Sequence, residues 1–403
     1  MPLLPGATRP RDGQPTTLGV LGGGQLGRMF AHAAQAMGYR VAVLDPDAAS
    51  PAAQVADLHI RCAYTDTQGL AELARTCDAV TTEFENVPAQ ALRELAAQVR
   101  VAPQADAVAV CQHRAREKAQ FVQHGVPCAP HLAIQAEADL ARAEASLFPA
   151  ILKTATLGYD GKGQCGVPDA VALPAAWRAL GQASCLLEQR LRLACEFSVI
   201  VARDDHGHCV HLPVQQNLHR DGILAVTRVP APDVPAAAAE QAIAHTRRLA
   251  QSLGYVGVLC VEWFALEDGR VLANEMAPRP HNSGHASLQA CDVSQFELQV
   301  RALAGLPLPE PRLCAPAVML NLLGDLWFTP GASLAAGAAR ATGPRTPDWV
   351  GVLALPGVHL HLYGKAEPRP GRKMGHLTVT AADAPAALAT ARAVAARLGL
   401  PEL

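Results

Sequence analysis

Asn274-Glu275-Met276-Ala277-Pro278-Arg279-Pro280-His281-Asn282-Ser283-Gly284-His285 follows an apolar run, Val271-Leu272-Ala273, that reads as a short buried strand. At the end of that run the polarity reverses: a carboxylate, carboxamides, a guanidinium and two imidazoles crowd between prolines and a glycine. A second apolar run, Val258-Leu259-Cys260-Val261, ends at Glu262. Between the two, Leu266-Glu267-Asp268-Gly269-Arg270 carries Asp-Gly turn chemistry, so the runs are expected to form a hairpin. Glu262 and Glu275 would then lie side by side at its open end. Two carboxylates held that close repel one another unless a cation lies between them. Hard oxygen ligands suit Mg2+, which takes one or two carboxylates together with nucleotide phosphates. Mn2+ is the second candidate. The alternative is a pair of solvated strand-end glutamates; the polar cluster behind Glu275 favours the metal.

Composition bounds what surrounds this hairpin. At 403 residues the chain is long enough for two or three domains, and at half hydrophobic it builds cores easily. A formal charge of −2 argues against a nucleic-acid or membrane-surface partner, and 4% aromatics against a stacking platform for single strands. There is no run of apolar residues long enough to span a membrane. The 11 cysteines are scattered without C-x-x-C pairs, as expected of reduced thiols in a cytoplasmic protein. Residues 1–16 lack the apolar stretch of a signal peptide and are expected to be a disordered extension.

The first domain is placed at 17–112. Thr17-Leu18-Gly19-Val20-Leu21 is a buried strand running into Gly22-Gly23-Gly24-Gln25-Leu26-Gly27, then a helix over 28–37 with Gly38 past its end. A second strand, 40–44, stops at Asp45. This βαβ unit fits the dinucleotide fingerprint, including the acidic residue about 20 positions on. A helix N-terminus after a glycine turn binds any phosphate, however, and Gln25 offers a polar group at the same mouth. A helix over 68–75 precedes Ala79-Val80-Thr81-Thr82, a strand ending in Glu83-Phe84-Glu85-Asn86. The expectation is a doubly wound, Rossmann-like sheet with ligands at its strand ends.

A second domain is placed at 113–312. A helix over 113–124 carries Arg114, Arg116 and Lys118, whose charges read mostly as a solvated face. After a helix over 136–145, Pro149-Ala150-Ile151-Leu152-Lys153 is a strand with an inward lysine, for which phosphate is a natural partner. Gly158-Tyr159-Asp160-Gly161-Lys162-Gly163-Gln164 is either a loop that wraps phosphates through backbone N–H groups or an ordinary hairpin turn. Residues 185–189 form a strand ending in Glu188-Gln189, and Glu196 stands at the mouth of another. Gln215 to Gly222 reads as a polar loop without a structural reason. Helices over 236–253 and 294–304 flank the hairpin and its polar cluster. The third unit, 313–403, is expected to be small and β-rich, closed by a helix over 384–398, with Lys365, Arg372 and Lys373 on a basic turn.

The motifs GGGQLGRM (22–29), EFENV (83–87), GYDGKGQ (158–164), NLHRDGIL (217–224), NEMAPRPHNSGH (274–285) and RPGRKMGHL (369–377) are similar to those of the ATP-grasp superfamily. Within it, the chain resembles the N5-carboxyaminoimidazole ribonucleotide synthases, ATP-dependent carboxylases of purine biosynthesis. The resemblance implies an α/β and α+β architecture: a Rossmann-like first domain, a central ATP-grasp domain and a small C-terminal β-rich domain. It implies that Lys118 and Lys153 contact ATP, that Gly158, Tyr159, Asp160, Gly161, Lys162, Gly163 and Gln164 close over its phosphates, and that Glu188, Gln189, Arg190 and Leu191 frame the adenine. Glu196 and His219 fall near the ribose, and Asn274 beside the metal carboxylates Glu262 and Glu275. Substrate contacts fall to Gln25, Glu85, Asn86, Tyr159, Arg279, His281, Asn282, Ser283, Lys365, Arg372 and Lys373, with Lys153, Tyr159, Asp160, Arg279, His281 and Asn282 nearest the chemistry. The implied ligands are ATP, Mg2+, bicarbonate and aminoimidazole ribonucleotide, and the implied assembly a homodimer. The chain departs from the pattern at Leu157, where relatives often carry another glycine, and just before Asn217.

Three other readings compete. A nicotinamide dehydrogenase would use the first domain alone and leave the Glu262/Glu275 pair idle. A catalytically dead nucleotide-binding regulator would be expected to lack a metal carboxylate or Lys153. A formate-using transformylase or a biotin carboxylase is the alternative within the superfamily.

Overall fold

The computed structural model describes residues 1–9, 12–156, 158, 162–328 and 345–403. Leu157, Tyr159, Asp160 and Gly161 lie outside them. Five parallel strands make the first sheet: β1 (Thr17–Leu21), β2 (Arg40–Leu44), β3 (Leu58–Ile60), β4 (Ala79–Thr82) and β5 (Arg100–Val101), in the order β3-β2-β1-β4-β5. β1 is buried at every residue, as a strand covered on both faces must be. The helix Gln25–Ala36 follows it, and Gly22, at φ +103, supplies the left-handed turn between them. The doubly wound expectation holds, with β3 and β5 added.

The N-terminal extension, expected to be disordered, is held at Leu3. Leu3 N–H donates to the Ala304 carbonyl at 2.8 Å, and the Tyr39 hydroxyl to the Leu3 carbonyl at 2.6 Å. These bonds satisfy the segment's backbone at a seam between the first two domains, which offsets the entropy of ordering it.

The middle of the chain forms a four-stranded antiparallel sheet from β6 (His131–Ile134), β7 (Ala150–Thr154), β8 (Gln164–Val167) and β9 (Cys185–Gln189), ordered β6-β9-β7-β8. The helix expected over 136–145 shrinks to Glu137–Leu140, which buries no side chain, so propensity has no packing to support it. A nine-stranded sheet follows, built of β10 (Leu193–Arg203), β11 (Cys209–His211), β12 (Gln215–Arg220), β13 (Ile223–Val229), β14 (Gly257–Leu266), β15 (Val271–Ala277), β16 (Ala317–Leu323), β17 (Val358–Leu362) and β18 (Lys373–Thr380). Its order is β15-β14-β10-β12-β13-β16-β18-β17, with β11 on the side of β10.

One expectation changes here. Gln215 to Arg220 is a strand, not a loop, and its polar side chains have internal partners. Asn217 Nδ2 donates to Ser198 Oγ at 2.7 Å, and Thr227 Oγ1 donates to Asn217 Oδ1 at 3.0 Å. The strands of the small C-terminal unit join the large sheet, where β16 pairs with β13 in the register Val226↔Leu320.

A single apolar core joins the first domain to the large sheet. Leu18, Val20 and Phe30 pack in one cluster with Ile200, Val258 and Leu298. Emptying it at Leu298 by substitution with alanine would cost about 2–5 kcal/mol. Leu26 and Met29, Phe296 and Tyr363 form a smaller cluster where all three units meet. This packing fixes the strand ends of β4 opposite the β14–β15 hairpin.

Candidate active site

The hairpin forms as expected, but Glu262 lies inside β14 and Glu275 inside β15. What brings them together is a bulge. Trp263 pairs with Ala273 and Val261 with Met276, so Asn274 and Glu275 stand opposite Glu262 alone. The extra residue breaks the alternation of faces, and both carboxylates line one cavity of about 350 Å3. Burial, then the Glu275 charge, pushes the Glu262 carboxyl up to about 7. Burial acts on Glu275 in the same sense, but the Arg114 guanidinium and Lys153 outweigh it and hold that carboxylate below its usual range.

One side of the cavity is cationic. Arg114 Nη1 sits 2.7 Å from Glu275 Oε2. Lys118 and Lys153 both grip Glu188, at 2.7 and 2.6 Å, and the two ammonium groups overcome burial to hold its carboxyl at about 2. Lys153 lines the cavity; Lys118 is 2% exposed, donates to the Asn274 carbonyl at 2.7 Å and stands behind the wall. Glu117, 3% exposed, accepts from Met276 N–H, and burial first, with Glu275 assisting, raises it to about 8. Glu196 and His219 face each other at 2.6 Å from β10 and β12, and both line the cavity. Gly158 and Gln164 reach its rim, while Lys162 is exposed. Gly163, at φ +70, accepts from Thr154 N–H at 2.8 Å. Gln189 and Arg190 turn toward Ser146 and Pro149, and none of Glu188, Gln189, Arg190 and Leu191 lines the cavity.

The opposite side gathers the substrate candidates. Arg279 pairs with Glu85 from the end of β4. His281 Nε2 lies 3.2 Å from Glu262 Oε1, and its Nδ1 lies 2.9 Å from Ser283 Oγ. Burial, with Arg279 nearby, holds the His281 ring well below its usual range, so it is neutral. Asn86, Asn282 and Lys373 line the same space. Ser283 is fully buried beneath it. Lys365 donates to the Lys373 carbonyl at 2.7 Å, and Arg372 Nη1 to the Glu367 carbonyl at 2.8 Å, so Lys373 is the member of the basic turn that reaches the cavity.

The glycine turn is arranged differently from the phosphate cradle expected of it. Gly24 and Gly27 N–H both donate to the Glu83 carboxylate, the latter at 2.7 Å, and Gly23 N–H to Asp45 Oδ2 at 2.7 Å. The two acidic strand ends fill the amides that a pyrophosphate would need. Gln25 opens the helix beside this self-ligated turn and does not line the cavity.

Comparison with known proteins gives the family of the chain. A ribonucleotide synthetase preATP-grasp domain matches residues 15–112, an ATP-grasp domain 119–296, and a phosphoribosylaminoimidazole carboxylase C-terminal domain 317–390. An N5-carboxyaminoimidazole ribonucleotide synthase of Brucella melitensis is 42% identical over 366 residues, 90% of this chain and 96% of that protein. The chain belongs to the N5-carboxyaminoimidazole ribonucleotide synthase family. The Staphylococcus aureus N5-carboxyaminoimidazole synthetase complexed with ADP superposes with a TM-score of 0.83 at 34% identity, covering 98% of this chain and 99% of that one. The Aspergillus clavatus N5-carboxyaminoimidazole synthase in complex with ADP and 5-aminoimidazole ribonucleotide gives 0.83 at 32%, covering 96% and 99%.

Within this family fold, reading the sequence missed Arg114 and Glu117. Arg114, Lys118 and Phe121 recur at helical spacing, so both cations share the face that carries the fully buried Phe121. Cations on an apolar face are buried and paired, and that was the available signal. Nothing in the spacing points to Glu188 as the partner of Lys153, because their contact depends on the β7–β9 pairing.

Proposed function

We propose that the chain catalyses the ATP-dependent carboxylation of 5-aminoimidazole ribonucleotide by bicarbonate, through carboxyphosphate, giving N5-carboxyaminoimidazole ribonucleotide, ADP and phosphate. The observation that carries this reading is the division of one cavity into two halves sharing the Glu262/Glu275 pair. One half presents Arg114 and Lys153 for a triphosphate; the other presents Arg279, His281, Asn282 and Lys373 for a second anion. Bicarbonate is a poor electrophile, and attack of its oxygen on the γ-phosphorus, with departure of ADP, activates it. Loss of phosphate leaves CO2 beside the amine, whose nitrogen takes the carbon and gives up a proton. Holding two anions together in this way needs cations preorganised around them.

Mg2+ fits the residues present. Two carboxylates stand together at the bulge, burial first and the Glu275 charge second raising the Glu262 carboxyl to about 7, and phosphate oxygens would complete the shell. The ion would neutralise charge developing on the transferred phosphoryl group. Arg114 holds Glu275 in place, and His281 orients Glu262 from the substrate side.

A homodimer in the cytoplasm belongs to the same reading. All 11 cysteines are free, and among the described residues no helix is long and apolar enough to cross a membrane. Light scattering checks the dimer. The reaction itself is tested by supplying aminoimidazole ribonucleotide with bicarbonate and ATP, against glycinamide ribonucleotide with formate. Turnover is expected only with the first set, and turnover with formate would overturn the assignment.

A further inference from the structure

The stretch that follows β15 cannot extend the sheet, because Pro278 and Pro280 carry no N–H. Its backbone polar groups at His281 still need partners. One side chain supplies both. Gln295, with no exposed surface, accepts from His281 N–H at 2.8 Å and donates from Nε2 to the His281 carbonyl at 2.7 Å. A primary amide meeting the N–H and C=O of a single residue reproduces the bond pair that an opposite strand residue would make. The main chain also dictates which end of the amide is which, since one partner only donates and the other only accepts.

The clamp is itself anchored. Gln295 opens the helix Gln295–Ala304, capped by Ser294, whose hydroxyl accepts from Glu297 N–H. Its own N–H donates to Ser287 Oγ at 3.1 Å, and that hydroxyl donates to the Gly284 carbonyl at 2.6 Å. One turn on, Gln299 accepts from Val258 N–H at 2.6 Å and donates to Thr81 Oγ1 at 2.7 Å, tying the helix to β14 and β4. The loop lies against the amide without slack: a Cβ on Gly284 would come within 2.6 Å of Gln295 Cδ and of Ile200 Cδ1.

We infer that Gln295 is a positioning residue for the carboxylation half of the site: it sets the place of His281 and Asn282 relative to Glu262 through the loop backbone. This rests on the proposed function above. Among the described residues, the groups beside the nucleotide half, Arg114, Lys153 and Glu275, have their polar partners in one another and in Glu188 and Gly158, not in Gln295. Glu262 keeps its place within β14, so loosening the clamp shifts the loop rather than the metal carboxylates and separates the two halves of the reaction instead of weakening both.

The test measures ADP formed per carboxylated ribonucleotide, with the KM for ATP and a thermal melt. In Gln295→Met, carboxylation is expected to fall by about a hundredfold, the effect of misplacing reacting groups by about 1 Å, while bicarbonate-dependent ATP cleavage and the KM for ATP change no more than a few-fold. ADP per product therefore rises. Gly284→Ala reaches the same joint from the loop side and is expected to uncouple likewise; it carries the test if Gln295→Met does not fold. Parental coupling in either folded variant, or parallel loss of ATP cleavage and carboxylation, would overturn the role given to Gln295. A parental enzyme that makes no carboxylated ribonucleotide would remove the functional reading as well, so the two failures are told apart by the control.

Discussion

Glu275 carries the sharpest consequence at the scale of single residues. Its side chain is 40% exposed toward the cavity, so its charge serves a ligand more than the fold. Glu275→Gln keeps the shape, removes one of the two carboxylates proposed to hold the metal and leaves Arg114 without this carboxylate partner. ATP turnover should fall by at least about a hundredfold, on the scale of losing one preorganised electrostatic group, while the melting temperature stays close to the parental value. Parental ATP hydrolysis at the same Mg2+ concentration would disprove the metal assignment. The basic turn divides in the same way. Lys373→Ala should raise the KM for the ribonucleotide by roughly tenfold or more, as loss of a charge-assisted contact does, and leave the KM for ATP nearly unchanged. Arg372→Ala should do less, because its guanidinium is turned to the Glu367 carbonyl. Steady-state kinetics with each substrate varied in turn distinguishes the two.

Among the elements, the glycine turn and its helix are where sequence pattern and structure diverge. The spacing of Gly22, Gly24 and Gly27 fits a dinucleotide fingerprint, and the fold around it is the expected one. The helix N-terminus nevertheless receives its negative charge from Glu83 within the same chain. Burial first, then repulsion from Asp45, raises the Glu83 carboxyl, and the Gly27 and Gly24 amides oppose that rise. A dinucleotide would have to expel a buried carboxylate from its own hydrogen bonds. Titration with NAD or NADH should give no saturable change in intrinsic fluorescence or heat. Saturable binding with hydride transfer would overturn both this account and the proposed function.

For the whole molecule, the seam between the site loop and the C-terminal strands sets the response to acid. His285 and His376 stand 4.8 Å apart, and His376 stacks on His361 at 4.5 Å, ring centre to ring centre. Burial first, and the neighbouring rings second, hold all three below their ordinary range; Lys373 and Arg279 add to this at His285, and His359 and His32 at His361. The native state therefore keeps these rings neutral, whereas the unfolded chain takes up protons near pH 6.5. Stability is full above that pH and is lost as the pH falls below it, by about 1.4 kcal/mol per unit for each fully buried ring. Melts at pH 7.5 and 5.5 should show the fall, and His376→Gln should flatten it. A pH-independent melting temperature would contradict the neutral stack.

Local chemistry alone determined much of this protein. The Asp268-Gly269 turn, the Gly22 turn, the buried β1 and the apolar faces of the long helices depend on neighbours within a few residues, and each lies where its pattern requires. The polar run from Asn274 to His285 likewise announced a site, because so many hydrogen-bonding groups after a buried strand need a ligand or one another. Tertiary structure alone decided which groups meet. A bulge one residue deep set Glu262 against Glu275, pairing between distant strands gave Lys153 to Glu188, and Glu83 reached 56 residues back to fill the turn at Gly27. Periodicity records which face of an element is buried; it carries no information about the partner buried against it, and ion pairs and anion sites depend on that partner.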